Sequence, residues 1–315
     1  MKHKKLWASL LRIALSLIAL ALLWREVGGK KVIDVLRHAD LRLLGAACLL
    51  FFGGIVVRAY RWRALLYGLD VRPSIGLLIK LYLAGSFFNT FLPSGFGGDV
   101  VRVVELAQED SQSAAVGTVL VDRLTGILSQ MAMGLVVLPF TRSLESWLVW
   151  MFVFVAVGGL TGGFLLLEGR LLRHLTARIP AVFSLTGQGK LAQIYEAVTG
   201  CGWRAVWQAL ALSTLFNLVN IAIYWLCGLA VGMDVPLSFY FISVPLLSLT
   251  LLIPISVGGL GARDWVAQPL FASVGIADEL AAGMTLSLYV VTAAVGLIGG
   301  IVYLVRGMRG LTDRD

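Results

Sequence analysis

Histidine is nearly absent from this chain. Its three copies, His3, His38 and His174, all lie outside the apolar runs, so no histidine proton relay is expected inside a membrane segment. Cysteine is equally scarce. Cys48, Cys201 and Cys227 sit in or beside apolar segments, and an odd number without metal spacing argues against a disulfide framework or a zinc site. Charge is sparse, 14% of residues against 58% hydrophobic, which excludes an ordinary soluble domain. Acidic residues are outnumbered 18 to 26, for a net charge of +8. The basic residues stand between apolar runs, where positive-inside topology and anionic headgroups account for them without nucleic acid. No Walker loop or Ser/His/Asp constellation is visible, and the one Asp-x-Asp, Asp313 and Asp315, ends the chain. No metal or cofactor is expected.

What is present is a series of long apolar runs along a single membrane domain, residues 1–315. Leu6 to Trp24 follows the basic Met1 to Lys5. A signal peptide is the rival reading, with Ala19 and Ala21 resembling a cleavage site, but the run is long for one and is read as an uncleaved first span. Further spans are expected over Leu41–Val57, Ala114–Phe140, Trp147–Leu167, Ala205–Val231 and Leu280–Val305. Arg25 to Arg42 is a mixed-charge loop. A basic turn carrying Arg58, Arg61, Arg63 and Arg72 follows the second span. Glu168 to Arg204 is the longest polar stretch, divided by Pro180 and Gly187 into short interfacial helices.

Two apolar stretches end differently. Ile75 to Leu92 runs into P-S-G-F-G-G-D-V-V-R-V-V-E, Pro93 to Glu105, and Pro236 to Ile253 runs into P-I-S-V-G-G-L-G-A-R-D, Pro254 to Asp264. Both fit Pro-x-x-x-Gly-Gly-x-x-x-Arg, through Pro93, Gly97, Gly98 and Arg102, then Pro254, Gly258, Gly259 and Arg263, about half a chain apart. Proline removes a donor and paired glycines permit tight turns. Such irregular backbone is tolerated at membrane depth only inside protein or beside a wet cavity. A short helix follows each motif. Asp99 reads as the N-cap of the first, over Asp99 to Gln108; the second covers Ala262 to Ser273 and is limited by Pro269. Free N–H groups at those helix starts suit an anion, and Arg102 or Arg263 one turn in adds a planar fork suited to phosphate. The plain alternative is a membrane helix rich in Gly and Pro, with Arg102 snorkelling to headgroups.

Charge placement favours treating each motif as a re-entrant hairpin. Lys2, Lys4 and Lys5, the Arg58 to Arg72 turn, the 168–204 loop and Arg306, Arg309 and Arg314 then all face the cytoplasm, as do both termini. Full crossings would put the long basic loop outside. The expected fold is therefore an all-α polytopic membrane protein of two inverted repeats, 1–143 and 144–315, each with about three transmembrane helices and one re-entrant helical hairpin. The expected location is the inner (cytoplasmic) membrane.

Arg102, Glu105, Asp122, Arg123, Arg263 and Asp264 fall in or near membrane-embedded segments. Each such charge costs about 2.5–3.5 kcal/mol at a helix centre, so six unpaired would total about 15–20 kcal/mol. They must be paired, hydrated or interfacial. Arg102 with Asp122 and Arg123 with Glu105 are plausible pairs, and a purely structural ion-pair network stays open beside a substrate role. Asn217 and Asn220 share a helical face and read as interhelical glue.

The series Asn89-x-x-Leu92-Pro93-Ser94-Gly95-x-Gly97-Gly98-Asp99-x-x-Arg102, then Asp122-Arg123-x-x-Gly126, then Pro254-x-Ser256-x-Gly258-Gly259-Leu260-Gly261-x-Arg263-Asp264 resembles the transmembrane, flippase-like domain of the lysylphosphatidylglycerol synthases. Asp264 stands where relatives commonly carry Glu, which keeps the charge. The resemblance implies movement of a lipid between leaflets. It does not imply lysyl transfer, which belongs to a separate soluble domain not expected here. The residues expected to line or hold a site for an anionic headgroup are Asn89, Pro93, Ser94, Gly97, Gly98, Asp99, Arg102, Glu105, Asp122, Arg123, Pro254, Ser256, Gly258, Gly259, Arg263 and Asp264. Two other readings stay open: an enzyme on a polyprenyl-phosphate lipid, because some archaeal relatives are linked to dolichol-phosphate glycosylation, and a scaffold for a separate lipid-modifying enzyme docked on the basic 168–204 loop. A homo-oligomer is also possible.

Overall fold

The computed structural model describes residues 29–91, 96–107, 112–141, 145–169, 190–250 and 261–312. The expected first span, Pro93, Ser94, Pro254, Ser256, Gly258 and Gly259 lie outside them. Among the described residues every regular element is a helix: α1 Gly29–Arg37, α2 Leu41–Tyr67, α3 Ile75–Phe91, α4 Gly97–Leu106, α5 Gln112–Val137, α6 Ser146–Glu168, α7 Lys190–Gly200, α8 Gly202–Ala230, α9 Leu237–Leu249, α10 Ala262–Ala272 and α11 Asp278–Thr312. Five are long and apolar enough to cross a membrane: α2, α5 with its short 3-10 extension, α6, α8 and α11. They match the five later spans expected from sequence. The apolar helices α3 and α9 are shorter, 17 and 13 residues, and each leads towards a motif.

One expectation fails. The second span does not stop at Val57, and Arg58, Arg61 and Arg63 do not form a basic turn. α2 runs unbroken to Tyr67. No residue from Val57 to Tyr67 is Gly or Pro, so the first available stop is Gly68. The other end of α2 is capped by Asp40, whose Oδ1 accepts from the Arg42 N–H at 2.8 Å. Two smaller corrections follow. The short helix after the first motif starts at Gly97 with Phe96 as its cap residue, so Asp99 sits inside the first turn, where its carboxylate is free to take side-chain donors. Pro269 lies inside α10 and does not end it; a proline in a helix removes one hydrogen bond and need not terminate it.

Helix order recurs. α1 to α5 run short, long, intermediate, short, long, and α7 to α11 do the same. Packing is reciprocal as well: α5 lies against α7, α8 and α9, while α11 lies against α1, α2 and α3. α2 and α8 form the most extensive contact of the bundle and are antiparallel. The Asp40 N–H donates to Ala230 O at 2.8 Å where α2 begins and α8 ends. At the opposite ends, a Cβ on Gly68 would stand 2.2 Å from Cys201 O. The α2–α3 loop and the α8–α9 loop therefore lie at opposite ends of this pair.

Bare backbone brings α11 onto α3. A Cβ on Gly299 would stand 1.9 Å from Leu83 O, whereas one on Gly53 would meet nothing within 4 Å. Small residues permit such approach between membrane helices. Gly299→Ala is expected to destabilise the protein by about 1–3 kcal/mol, the usual cost of overpacking. Gly53→Ala leaves stability unchanged or raises it by up to about 1 kcal/mol through helix propensity. Thermal melting of the two purified variants against the parent checks both.

Candidate functional site

The site is built around Asp122 on α5, which is 1% exposed. Its Oδ1 accepts from Arg61 Nε at 2.6 Å. Its Oδ2 accepts from the Tyr82 hydroxyl at 2.6 Å and from Arg102 Nη2 at 3.1 Å. Arg61 comes from α2, Tyr82 from α3 and Arg102 from α4, so one carboxylate ties four consecutive helices. Arg61 Nη1 then donates to Ser213 Oγ on α8 at 3.1 Å, joining the second group of helices to the same network.

Arg102 is held by two rings and two carboxylates. Its guanidinium lies 3.8 Å from the centre of the Tyr82 ring and 4.2 Å from that of Trp62, both favourable for a cation. Nη1 donates to Asp99 Oδ1 at 3.1 Å, and Trp62 Nε1 is fixed by Thr118 Oγ1 at 3.0 Å. Asp99 also pairs with Arg123, whose guanidinium covers the Phe96 ring at 4.3 Å. The expected Arg102–Asp122 pair forms. Arg102 does not snorkel, being 4% exposed.

The glycines of the first motif have a plain steric reason. Gly98 N–H donates to Asn89 Oδ1 at 2.8 Å, and a Cβ on Gly98 would stand 2.3 Å from Gly85 O. The start of α4 thus rests on the backbone of α3. At the second motif, Gly261 has φ +81°, a conformation natural to glycine. The Gly261 N–H donates to Asp264 Oδ2 at 2.9 Å, and the Thr285 hydroxyl donates to Asp264 Oδ1. Asp264 therefore fastens the start of α10 to α11.

Between the helices lies a cavity of about 320 Å³. The lining includes Asn89, Asp99, Arg102, Asp122, Arg123 and Arg263 among the residues singled out in the sequence. Gly97, Gly98, Glu105 and Asp264 are not part of it. Missed by sequence reasoning were Arg58, Arg61, Tyr82, Phe216 and Tyr224, all of which line it. Asn217 and Asn220 line it too, and Asn217 Nδ2 also donates to Gly126 O at 3.0 Å, the interhelical role expected of it. The arginines could have been found from the missing helix stop after Val57, since Arg58 and Arg61 then fall three apart on one helical face.

Five arginines thus face two aspartates across the cavity. Three of the five, Arg61, Arg102 and Arg123, hold those aspartates. Arg58 and Arg263 have no carboxylate within 4 Å among the described residues. Arg58 lies 5.0 Å from the Tyr82 and Phe216 ring centres, and Arg263, 7% exposed, lies 5.9 Å from that of Tyr224. Both keep a buried Nε without a hydrogen-bond partner, as does Arg102; what sets the two apart is the missing carboxylate. Among the described residues no group of three or more His, Cys, Asp or Glu is placed to hold a metal ion.

Fold and cavity together define a class, a polytopic helical membrane protein with an arginine-rich chamber between two reciprocally packed groups of helices. Within that class the chain belongs to the family described as the lysylphosphatidylglycerol synthase TM region, which it matches over residues 9–300. This is the family the three motifs resembled. The chain is 25% identical over 280 residues to a UPF0104 membrane protein of Methanothermobacter thermautotrophicus, covering 79% of this chain and 80% of that protein. It is 27% identical over 123 residues to a UPF0104 membrane protein of Pyrococcus horikoshii, covering 38% of this chain and 36% of that protein, so this match spans about a third of that relative.

Removing one partner of a buried ion pair leaves an uncompensated charge at a cost of about 3–5 kcal/mol. Asp122→Ala strands two arginines and a tyrosine at once. It is expected to lower stability by at least that much, seen as a lower melting temperature and poor recovery of folded protein. Asp122→Asn keeps hydrogen-bond acceptance and falls between. A melting curve for Asp122→Ala equal to the parent's would remove Asp122 from the centre of the structure.

Proposed function

We propose that this chain is a flippase-like transporter that moves an anionic phospholipid, or a polyprenyl-phosphate-linked lipid, between leaflets, without catalysing a chemical step. The observation that carries this reading is the surplus of three cations lining a chamber between the helices. Unpaired charge at membrane depth is costly and marks a substrate path by default. Guanidinium groups bind phosphate oxygens through paired N–H donors. A chamber of about 320 Å³ accepts a headgroup and leaves the acyl chains in the bilayer.

The reading takes the two groups of helices as inverted repeats, with α3–α4 and α9–α10 as re-entrant hairpins entering from opposite faces. The antiparallel α2–α8 pair, the reciprocal packing of α5 and α11, and the short lengths of α3 and α9 support it. Arg102 and Arg263 then reach the chamber from opposite leaflets, with both chain ends on the cytoplasmic side of the inner membrane. Alternate exposure of the site follows from rocking one group of helices on the other, as in other inverted-repeat carriers. The basic turn first assigned to the cytoplasm loses Arg58 and Arg61 to the chamber. Orientation therefore leans more heavily on the 168–204 loop, outside the described residues for most of its length.

Two measurements test the proposal. In a cysteine-free background, Arg72→Cys and Asp234→Cys are expected to react with an impermeant maleimide from opposite sides of the membrane. Reaction from one side sinks the inverted arrangement. Protein reconstituted in liposomes is expected to speed leaflet exchange of a labelled anionic lipid above protein-free vesicles. Arg263→Ala should abolish the effect, while Arg72→Ala, in an exposed loop, should keep it. Parent activity equal to empty vesicles across phosphatidic acid, phosphatidylglycerol and polyprenyl phosphate would overturn the transport reading.

A further inference from the structure

The two copies of the motif are not equivalent. In the first, Arg102 is neutralised by Asp99 one turn back and by Asp122 on the next long helix. In the second, the position matching Asp99 is Leu260, and Asp264 is spent on Gly261 and Thr285. Arg263 is left without an acid partner among the described residues. The sequence reading gave Arg102 and Arg263 the same task, but their surroundings separate them. Arg102 has both Nη atoms on carboxylates and two aromatic rings against its guanidinium, with only its buried Nε unpartnered, so it has less left to offer a ligand. The cation with spare donors on that side is Arg58, held between Tyr82 and Phe216.

We infer that Arg58 and Arg263 are the pair that grips the ligand, and that the headgroup is a phosphomonoester or diphosphate carrying two or more negative charges. This rests on the reading of the chamber as an anionic headgroup site, and narrows it. Against the surplus of three cations, a phosphodiester brings one negative charge and leaves two uncompensated. A phosphomonoester brings nearly two at neutral pH and has three terminal oxygens to share between two guanidinium forks. A zwitterionic head brings no net charge. A lysylated phosphatidylglycerol head brings two amines with its one phosphodiester, so it adds positive charge where positive charge is already in excess. The polar lining that remains, Asn89, Asn220, Gln130 and Thr292, supplies neutral hydrogen-bonding groups for the oxygens the arginines do not reach.

The test uses the full-length protein in detergent at pH 7.5, with dihexanoyl phosphatidic acid, dihexanoyl phosphatidylglycerol and inorganic phosphate as probes in a calorimetric titration. Phosphatidic acid is expected to bind at least about tenfold more tightly than phosphatidylglycerol, since charge-assisted bonds are the strong ones. Arg58→Gln and Arg263→Gln should each bring that ratio close to one with the melting temperature retained. Should either Gln variant fail to fold, Arg58→Lys or Arg263→Lys, which keeps the charge and loses the fork, should lower the ratio. Equal affinity for the two lipids overturns the double charge. An unchanged ratio in Arg58→Gln and Arg263→Gln overturns the residue assignment. Inorganic phosphate binding as tightly as phosphatidic acid overturns a lipid as the source. Equal binding in a protein that still exchanges phosphatidylglycerol between leaflets sinks this inference alone. A firm preference in a protein that exchanges no lipid sinks the transport reading alone.

Discussion

The carboxylate of Asp122 is the point on which the arrangement depends. It receives donors from α2, α3 and α4 while standing on α5, and through Arg61 it reaches α8. Apolar packing inside a bilayer has little preference for one helix register over another, because lipid tails are as apolar as leucine. A buried charge with directional partners does have such a preference. It sets the rotation and depth of four helices together, and a slip of one residue in any of them would strand an ion. Close backbone contacts then lock the arrangement, Gly98 on Gly85 and Gly299 on Leu83.

The same network divides labour between arginines that look alike in sequence. Those that meet Asp99 or Asp122 are structural cations, three guanidiniums shared between two carboxylates. Arg58 and Arg263 are held by aromatic rings instead, which stabilise a guanidinium without cancelling its charge. An aromatic neighbour thus keeps a cation available in a way that an aspartate does not. That difference, more than the number of arginines, gives the chamber its character.

Much of this was legible in the sequence, and the reasons for the rest are specific. Long apolar runs announced α5, α6, α8 and α11, because length and hydrophobicity are all that a membrane-crossing helix requires. The repeated Pro and Gly-Gly pattern marked both shorter arms, and the sparse acids made Arg102–Asp122 a natural pair. The end of α2 was misread because a cluster of arginines looks like a loop when hydropathy alone is followed. Burial of Arg61 depends on partners 61 or more residues away, Asp122 and Ser213, which no local pattern contains. Asp99 was taken as a cap on residue type, but it lies in the first turn with Phe96 ahead of it. The inequality of Arg102 and Arg263 was half visible, as Asp99 against Leu260. The rest required seeing Asp264 turned away.

An unbalanced group of cations inside a helical bundle is also an electrical element. Each elementary charge displaced across a membrane exchanges about 2.3 kcal/mol with every 100 mV of potential. In the proposed transport, rocking that shifts Arg58 and Arg263 along the membrane normal while the chamber is empty would work with or against the cell's voltage. A bound polyanion of the kind proposed would cancel most of that charge, so in the proposed cycle the filled and empty forms would travel on different electrical slopes, and the resting potential itself would bias its direction.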